Sequence, residues 1–171
     1  TTCRICNSTQ LSTIMSLGQQ HIAAYTPRDS DPNPVLDKFP LELIRCTEPD
    51  CGLVQLRHST PGNFLYERYF YRSGINKTMT ENLKEIAMQA ISKVELQDND
   101  IVLDIGCNDG TLLKNYQGKN LRAVGIDPAK NMAEFSRECG ADIIVDYFNS
   151  KLFINNYGDE KAKIITSISM F

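Results

Sequence analysis

Four cysteines in two close pairs are the first residues whose spacing could do chemistry: Cys3-Arg-Ile-Cys6 and Cys46-Thr-Glu-Pro-Asp-Cys51-Gly. Two thiolates on one tight turn can share an ion, and two such turns complete the tetrahedral four-sulfur site that holds zinc. Gly52, after the last cysteine, frees the backbone so that N–H groups can point at sulfur. The 39 residues between the pairs exceed an ordinary zinc ribbon, and His21 and His58 are competing ligands that a four-cysteine site does not need. A redox Cys-x-x-Cys is disfavoured, because Cys3 does not head a helix inside a β-α-β unit. Zn2+ on Cys3, Cys6, Cys46 and Cys51 is the expected metal site, with Cys107 and Cys139 as free thiols.

A second chemistry is written in Ile101-Val-Leu-Asp-Ile-Gly-Cys-Asn-Asp-Gly-Thr-Leu-Leu113. It reads as a buried parallel strand to Ile105, a turn from Gly106 to Gly110, and a helix opening at Thr111. Gly106 lets the chain leave the strand sharply, and Gly110 lets the helix start, with its unpaired N–H groups, approach a ligand. The spacing is not Gly-x-Gly-x-x-Gly, and two phosphates beside Asp104 and Asp109 would be repelled. An ammonium would not. An acidic residue followed by Gly-x-x-x-Gly resembles the S-adenosylmethionine-dependent methyltransferases with a Rossmann-like sheet, whose cofactor carries that ammonium. Gly106, Asn108, Asp109 and Gly110 are expected around its methionine part. The bland alternative is a strand–turn–helix corner that binds nothing.

Two later strand ends agree with the cofactor reading. Leu121-Arg-Ala-Val-Gly-Ile-Asp-Pro128 ends in Asp127, about twenty residues past the glycine turn, where an acid can accept bonds from both ribose hydroxyls. Asp127 could equally cap a helix over 129–139 with Pro128 at its first position. Asp142-Ile-Ile-Val-Asp-Tyr-Phe148 reads as a third strand. The methyltransferase resemblance implies that Asp146 contacts the adenine amino group while Tyr147 and Phe148 sandwich the ring. A solvated Asp146 with both aromatics in the core is the alternative.

The elements that must position these groups fit within 171 residues, enough for one substantial domain and a small one. A net charge of −3, without blocks, argues against a nucleic-acid or anionic-membrane surface. No apolar run reaches the roughly 18 residues that span a bilayer. The first strand expected in the N-terminal module is 39–45, the second 52–57, and together they read as a hairpin stapled by the metal. A proline-rich loop covers 26–34. An aromatic and polar segment, Tyr66-Glu-Arg-Tyr-Phe-Tyr-Arg-Ser-Gly74, precedes a helix from Thr80 whose apolar stripe is Leu83, Ile86, Ala87, Ala90, Ile91 and Val94. The fold class is therefore α/β: the first half of a Rossmann-like class I methyltransferase sheet after a small zinc-binding β module. The expected domains are 1–75 and 76–171, and 163–171 reads as a fourth strand.

One resemblance covers essentially the whole chain. Paired N-terminal cysteines, Phe-Pro-Leu-x-Leu, Cys-Gly-Leu-Val-Gln-Leu, Tyr-x-Tyr-x-Ser and Ile-Gly-Cys-Asn-Asp-Gly-Thr-Leu-Leu occur here in the order found in sugar-nucleotide C-methyltransferases of deoxysugar biosynthesis. The residues from Gly18 to Ala24 depart from that family's proline- and asparagine-containing turn. The resemblance implies methyl transfer to a sugar carbon beside a ketone, a nucleotide-sugar partner, a cytoplasmic setting, and a functional tyrosine at Tyr71 or Tyr69. The same aromatics could instead only seal the module. It also implies that relatives continue past residue 171 with a histidine–glutamate catalytic segment and a sugar-nucleotide domain. The chain is thus expected to be an N-terminal fragment that is inactive alone. A zinc-containing RNA methyltransferase and a non-catalytic cofactor-binding module are the competing functions.

Overall fold

The computed structural model describes residues 1–22 and 37–170, which form two compact units, 1–65 and 66–171. The proline-rich stretch 26–34 lies outside the described residues. Tyr66–Ile75, assigned from the sequence to the first module, belongs to the second unit.

The first unit is an antiparallel sheet of β1 (Leu11–His21), β2 (Lys38–Cys46) and β3 (Val54–Leu56), in the order β1-β2-β3. The β2–β3 hairpin pairs Leu43 with Leu56 and Arg45 with Val54, as the alternation predicts. Strand β1 carries no such alternation and was not expected. It is held by its ladder to β2, broken by irregularities between Thr13 and Met15 and between Ser16 and Gln19. Both cysteine turns close on their own backbone: Asn7 N donates to Cys3 O (2.9 Å), and Cys51 N donates to Glu48 O (3.1 Å). A short helix, α1 (Gly62–Tyr66), follows.

The second unit is a parallel sheet of β4 (Ile101–Ile105), β5 (Arg122–Ile126), β6 (Asp142–Ile144) and β7 (Ala162–Ser167), in the order β6-β5-β4-β7. Preceded by an antiparallel module with a cysteine cluster, this is the Rossmann-like arrangement typical of class I S-adenosylmethionine-dependent methyltransferases. Strand β4 is buried along its whole length, which explains its unbroken apolar run. Val102 faces Leu83 and Ala87 of α2 (Lys77–Ser92), whereas Ile101, Leu103 and Ile105 share the opposite core with Leu152, Phe153 and Tyr157, where α4 (Ser150–Tyr157) lies. Helices thus cover both faces of the sheet. Among the described residues, no helix is long and apolar enough to cross a membrane.

Four local expectations differ from what is observed. Helix α2 starts three residues before Thr80, because the Asn76 side chain caps it by accepting from Met79 N (3.1 Å). The helix expected at Thr111 is only a 3-10 turn, Leu113–Tyr116. There the Asn115 amide donates to the carbonyls of Thr111 and Leu112 (3.1 and 3.0 Å), which a continuing helix would need. The helix after β5 is reduced to α3 (Ala133–Arg137), and β6 stops at Ile144, before Asp146.

Candidate functional site

The four cysteines converge as their spacing predicts. Their sulfurs all lie within 4.8 Å of one another, with Cys3 to Cys51 at 3.5 Å and Cys6 to Cys46 at 3.6 Å. Zinc–sulfur bonds of about 2.3 Å set tetrahedral sulfurs roughly 3.8 Å apart, so the cluster has the size of a four-thiolate metal site. Backbone N–H groups of Cys6 and Ile5 directed at Cys3 hold its thiol down to about 6. Cys46 receives the Glu48 N–H, but burial and the neighbouring sulfurs outweigh it and push its thiol up to about 12. Four thiolates this close repel one another, and a divalent cation at their centre removes the conflict. His21 and His58 stand outside the cluster. Cys107 and Cys139 lie buried in the core of the second unit, where burial raises both thiols above their ordinary range.

In the second unit, a cavity of about 350 Å³ opens at the carboxyl ends of β4 and β5, the usual ligand crevice of such a sheet. Its lining includes Asp104, Gly106, Asn108 and Asp127, and also Tyr69 and Tyr71. Asp104 is buried and accepts one hydrogen bond, from Thr166 Oγ1 (2.7 Å). Burial pushes its carboxyl up to about 7, with the Thr166 bond opposing and the Asp127 charge adding to the rise. Among the described residues, no cationic side chain neutralises it. Gly106 adopts φ +73°, a left-handed conformation that favours glycine, beside the Met170 side chain.

Asp127 lines the cavity, and its side chain is bonded on both oxygens. Oδ2 accepts from Asn108 N and Oδ1 from Ala129 N, each at 2.8 Å. A carboxylate has about four acceptor sites, so each oxygen keeps one for a hydroxyl. The bond to Ala129 closes a turn rather than capping α3, whose N-cap is Met132.

Other expected contacts point elsewhere. Asp109 is buried outside the cavity lining, where it accepts from Gly74 N (2.8 Å) and from Thr111 N and Oγ1 (3.2 and 2.6 Å). Gly110 (φ +75°) packs on Ser136 and Cys139, not on the cavity. Without a following helix, no helix dipole serves the turn. Asp146, Tyr147 and Phe148 are exposed in the loop after β6, also outside the lining, with Asp146 Oδ1 accepting from Tyr147 N (2.7 Å). Reasoning from sequence missed Tyr66, Ser73, Thr111 and the 168–170 segment as lining. The alternation of Tyr69, Tyr71 and Ser73 was the available signal.

The acceptors suit S-adenosylmethionine: a buried acid with no cationic partner among the described residues and a second acid with free acceptor sites, both unfavourable to phosphate. Comparisons agree. Residues 3–66 match the family described as "Putative zinc binding domain". The chain is 26% identical to the C-methyltransferase NovU of Streptomyces niveus over 150 residues, 88% of this chain and 35% of that protein. It is 31% identical to sphingolipid C9-methyltransferase 1 of Gibberella zeae over 121 residues, 63% of this chain and 23% of that one. The chain thus spans about a third or less of these relatives. Among solved structures, the mycolic acid cyclopropane synthase CmaA1 complexed with SAH aligns with a TM-score of 0.40 at 20% identity, covering 58% of this chain and 37% of that one. The molecule thus pairs a cysteine cluster able to coordinate a metal with a methyltransferase fold, related at low identity to a C-methyltransferase.

Proposed function

We propose that this chain carries the metal module and the cofactor-binding half of an S-adenosylmethionine-dependent C-methyltransferase whose acceptor is a keto-deoxysugar nucleotide. The observation that carries the reading is the cavity in which Asp104 and Asp127 stand at adjacent strand ends beneath two tyrosines. Asp104 would pair with the ammonium of the methionine part, and Asp127 would accept from the ribose hydroxyls. Gly106 and Asn108 would flank the chain between them. Adenine would extend beyond the cavity toward Asp146, Tyr147 and Phe148, since β6 lies next to β5. When bound, the sulfonium supplies an electrophilic methyl group.

The chain's own contribution is to bind, orient and polarise. Carbon methylation beside a ketone needs removal of the adjacent proton and stabilisation of the resulting enolate oxygen. A phenol hydroxyl of Tyr71, or of Tyr69, would donate to that oxygen from the cavity mouth. No histidine lines the cavity among the described residues. A zinc ion on Cys3, Cys6, Cys46 and Cys51 would be structural, since four thiolates leave no open position for chemistry.

Calorimetry with S-adenosylhomocysteine tests the cofactor half, and turnover of a 4-keto-deoxysugar nucleotide by a longer protein that contains these residues tests the acceptor half. Binding that Asp104→Ala and Asp127→Ala both weaken is expected. Absence of binding to a folded, metal-loaded protein would end the reading.

A further inference from the structure

The segment from Tyr66 to Ile75 has little regular structure, yet five of its backbone groups, the N–H of Tyr69, Ser73 and Gly74 and the C=O of Tyr69 and Tyr71, are paired by side chains. An irregular strand must find partners for each N–H and C=O it buries. At Tyr69 both come from one residue: Tyr69 N donates to Asn131 Oδ1 (2.9 Å), and Asn131 Nδ2 donates to Tyr69 O (2.7 Å). Two residues on, Asn108 repeats the device: Ser73 N donates to Asn108 Oδ1 (3.0 Å), and Asn108 Nδ2 donates to Tyr71 O (2.9 Å). Each asparagine amide thus does what a neighbouring strand would do. A carboxylate lacks the donor, and an apolar residue lacks both groups.

The geometry points to Asn108 and Asn131 as positioning residues that hold Tyr69 and Tyr71 at the cavity mouth. Extended backbone sends alternate side chains to one side. Tyr69, Tyr71 and Ser73 all line the cavity, whereas Phe70 between them is 68% exposed. Secondary fixings keep the segment in register. Gly74 N donates to Asp109, Arg72 lies 3.6 Å over the Phe135 ring, and Lys130 N donates to Glu67 O (3.0 Å). Gly74 itself must be glycine, since a Cβ would lie 2.7 Å from Thr111 Oγ1 and 2.9 Å from Asp109 Oδ2. Asn108 takes φ +50°, which asparagine tolerates better than most residues, and its N–H is the one Asp127 accepts. One asparagine therefore connects the ribose-facing acid to the tyrosine segment. The chemical meaning of this clasp rests on the proposed methyl transfer, but its geometry does not.

The test uses the metal-loaded full chain labelled with 3-fluorotyrosine, the Tyr69 and Tyr71 resonances being assigned by Tyr69→Phe and Tyr71→Phe. Asn131→Asp and Asn108→Asp keep size and acceptor but lose the donor. Each is expected to shift the fluorine resonance of its own tyrosine toward the solvent value, leaving the other in place. The melting transition should not change. Unmoved resonances would overturn the proposal. So would both tyrosines shifting in either variant together with a lowered melting transition, which marks a merely structural role. Ligand-free protein suffices for these readouts. A separate titration with S-adenosylhomocysteine therefore distinguishes failure of the clasp from failure of the cofactor reading.

Discussion

In the first unit the fully buried apolar side chains, among the described residues, are Cys3, Ile44 and Cys46, while Ile14, Met15, Leu17, Val54 and Leu56 stand exposed. In the second, two contiguous clusters sandwich β4, with Val102, Leu112, Leu113, Val124 and Ile126 almost wholly buried. The contrast teaches where each unit keeps its stability. A sheet with so little interior depends on the point where four sulfurs meet. A sheet covered on both faces depends on packing, and can therefore tolerate a buried carboxyl such as Asp104. The two units also treat charge differently. The sulfurs gather around a place for a cation, whereas Asp104 lies buried with none beside it.

Removing the metal is the largest perturbation. Structural zinc supplies roughly 10–16 kcal/mol of apparent binding free energy in small domains. Chelation, or Cys46→Ser, is expected to abolish exchange protection in β1–β3 while β4–β7 keep theirs. Loss of protection in both units at once would break the comparison. Absence of zinc from the native protein by metal analysis would end it.

The converse experiment opens the packed core. Leu113→Ala deletes a fully buried side chain and is expected to cost about 2–5 kcal/mol in the second unit by denaturant titration. Zinc content should not change. Asp127→Ala, next in size, removes the acceptor for two hydroxyls and should weaken S-adenosylhomocysteine by about 2–4 kcal/mol, at about 1–2 for each charge-assisted bond. Calorimetry showing wild-type affinity would place the ribose elsewhere. Asp127→Asn should recover part of the loss, because one oxygen can still accept from the Asn108 or Ala129 N–H.

What could be read in the chain follows the same division. Strand β4 was legible because burial on both faces leaves an apolar run, and the cysteine cluster because ligand spacing is local. Strand β1 was not, since Ser12, Thr13 and Ser16 carry no alternation and its partner begins only at Lys38, after residues 22–37. The short turn after Gly110 depends on where the Asn115 amide bonds, which no propensity reveals. Asn108 and Asp109 read as ligand groups from their place in the glycine turn, which does not show what else they bond. Their partners, Ser73 and Gly74, lie 35 residues earlier. Asn131, 62 residues from Tyr69, left no local signal at all.

The smallest effect sharpens the contrast in charge. Burial holds the Asp104 carboxyl at about 7, above its value in an unfolded chain, roughly 3.9. Above about pH 4 the unfolded chain has lost this proton while the folded one keeps it. Stability from this group is therefore full below that point, falls as pH rises toward 7, and levels off beyond. Between pH 6 and 8 the integrated loss is about 1.4 kcal/mol. Asp104→Asn cannot ionise, and its Oδ1 can still accept from Thr166, so the wild-type-minus-variant difference in urea stability should fall by that amount from pH 6 to 8. A ligand that brings an ammonium to Asp104 should lower its pKa, so S-adenosylhomocysteine binding near pH 6.5 should release protons, measured by calorimetry in buffers of different ionisation enthalpy. A pH-independent stability difference would mean that Asp104 does not titrate in this range. Binding without proton release would mean that the ammonium rests on another group.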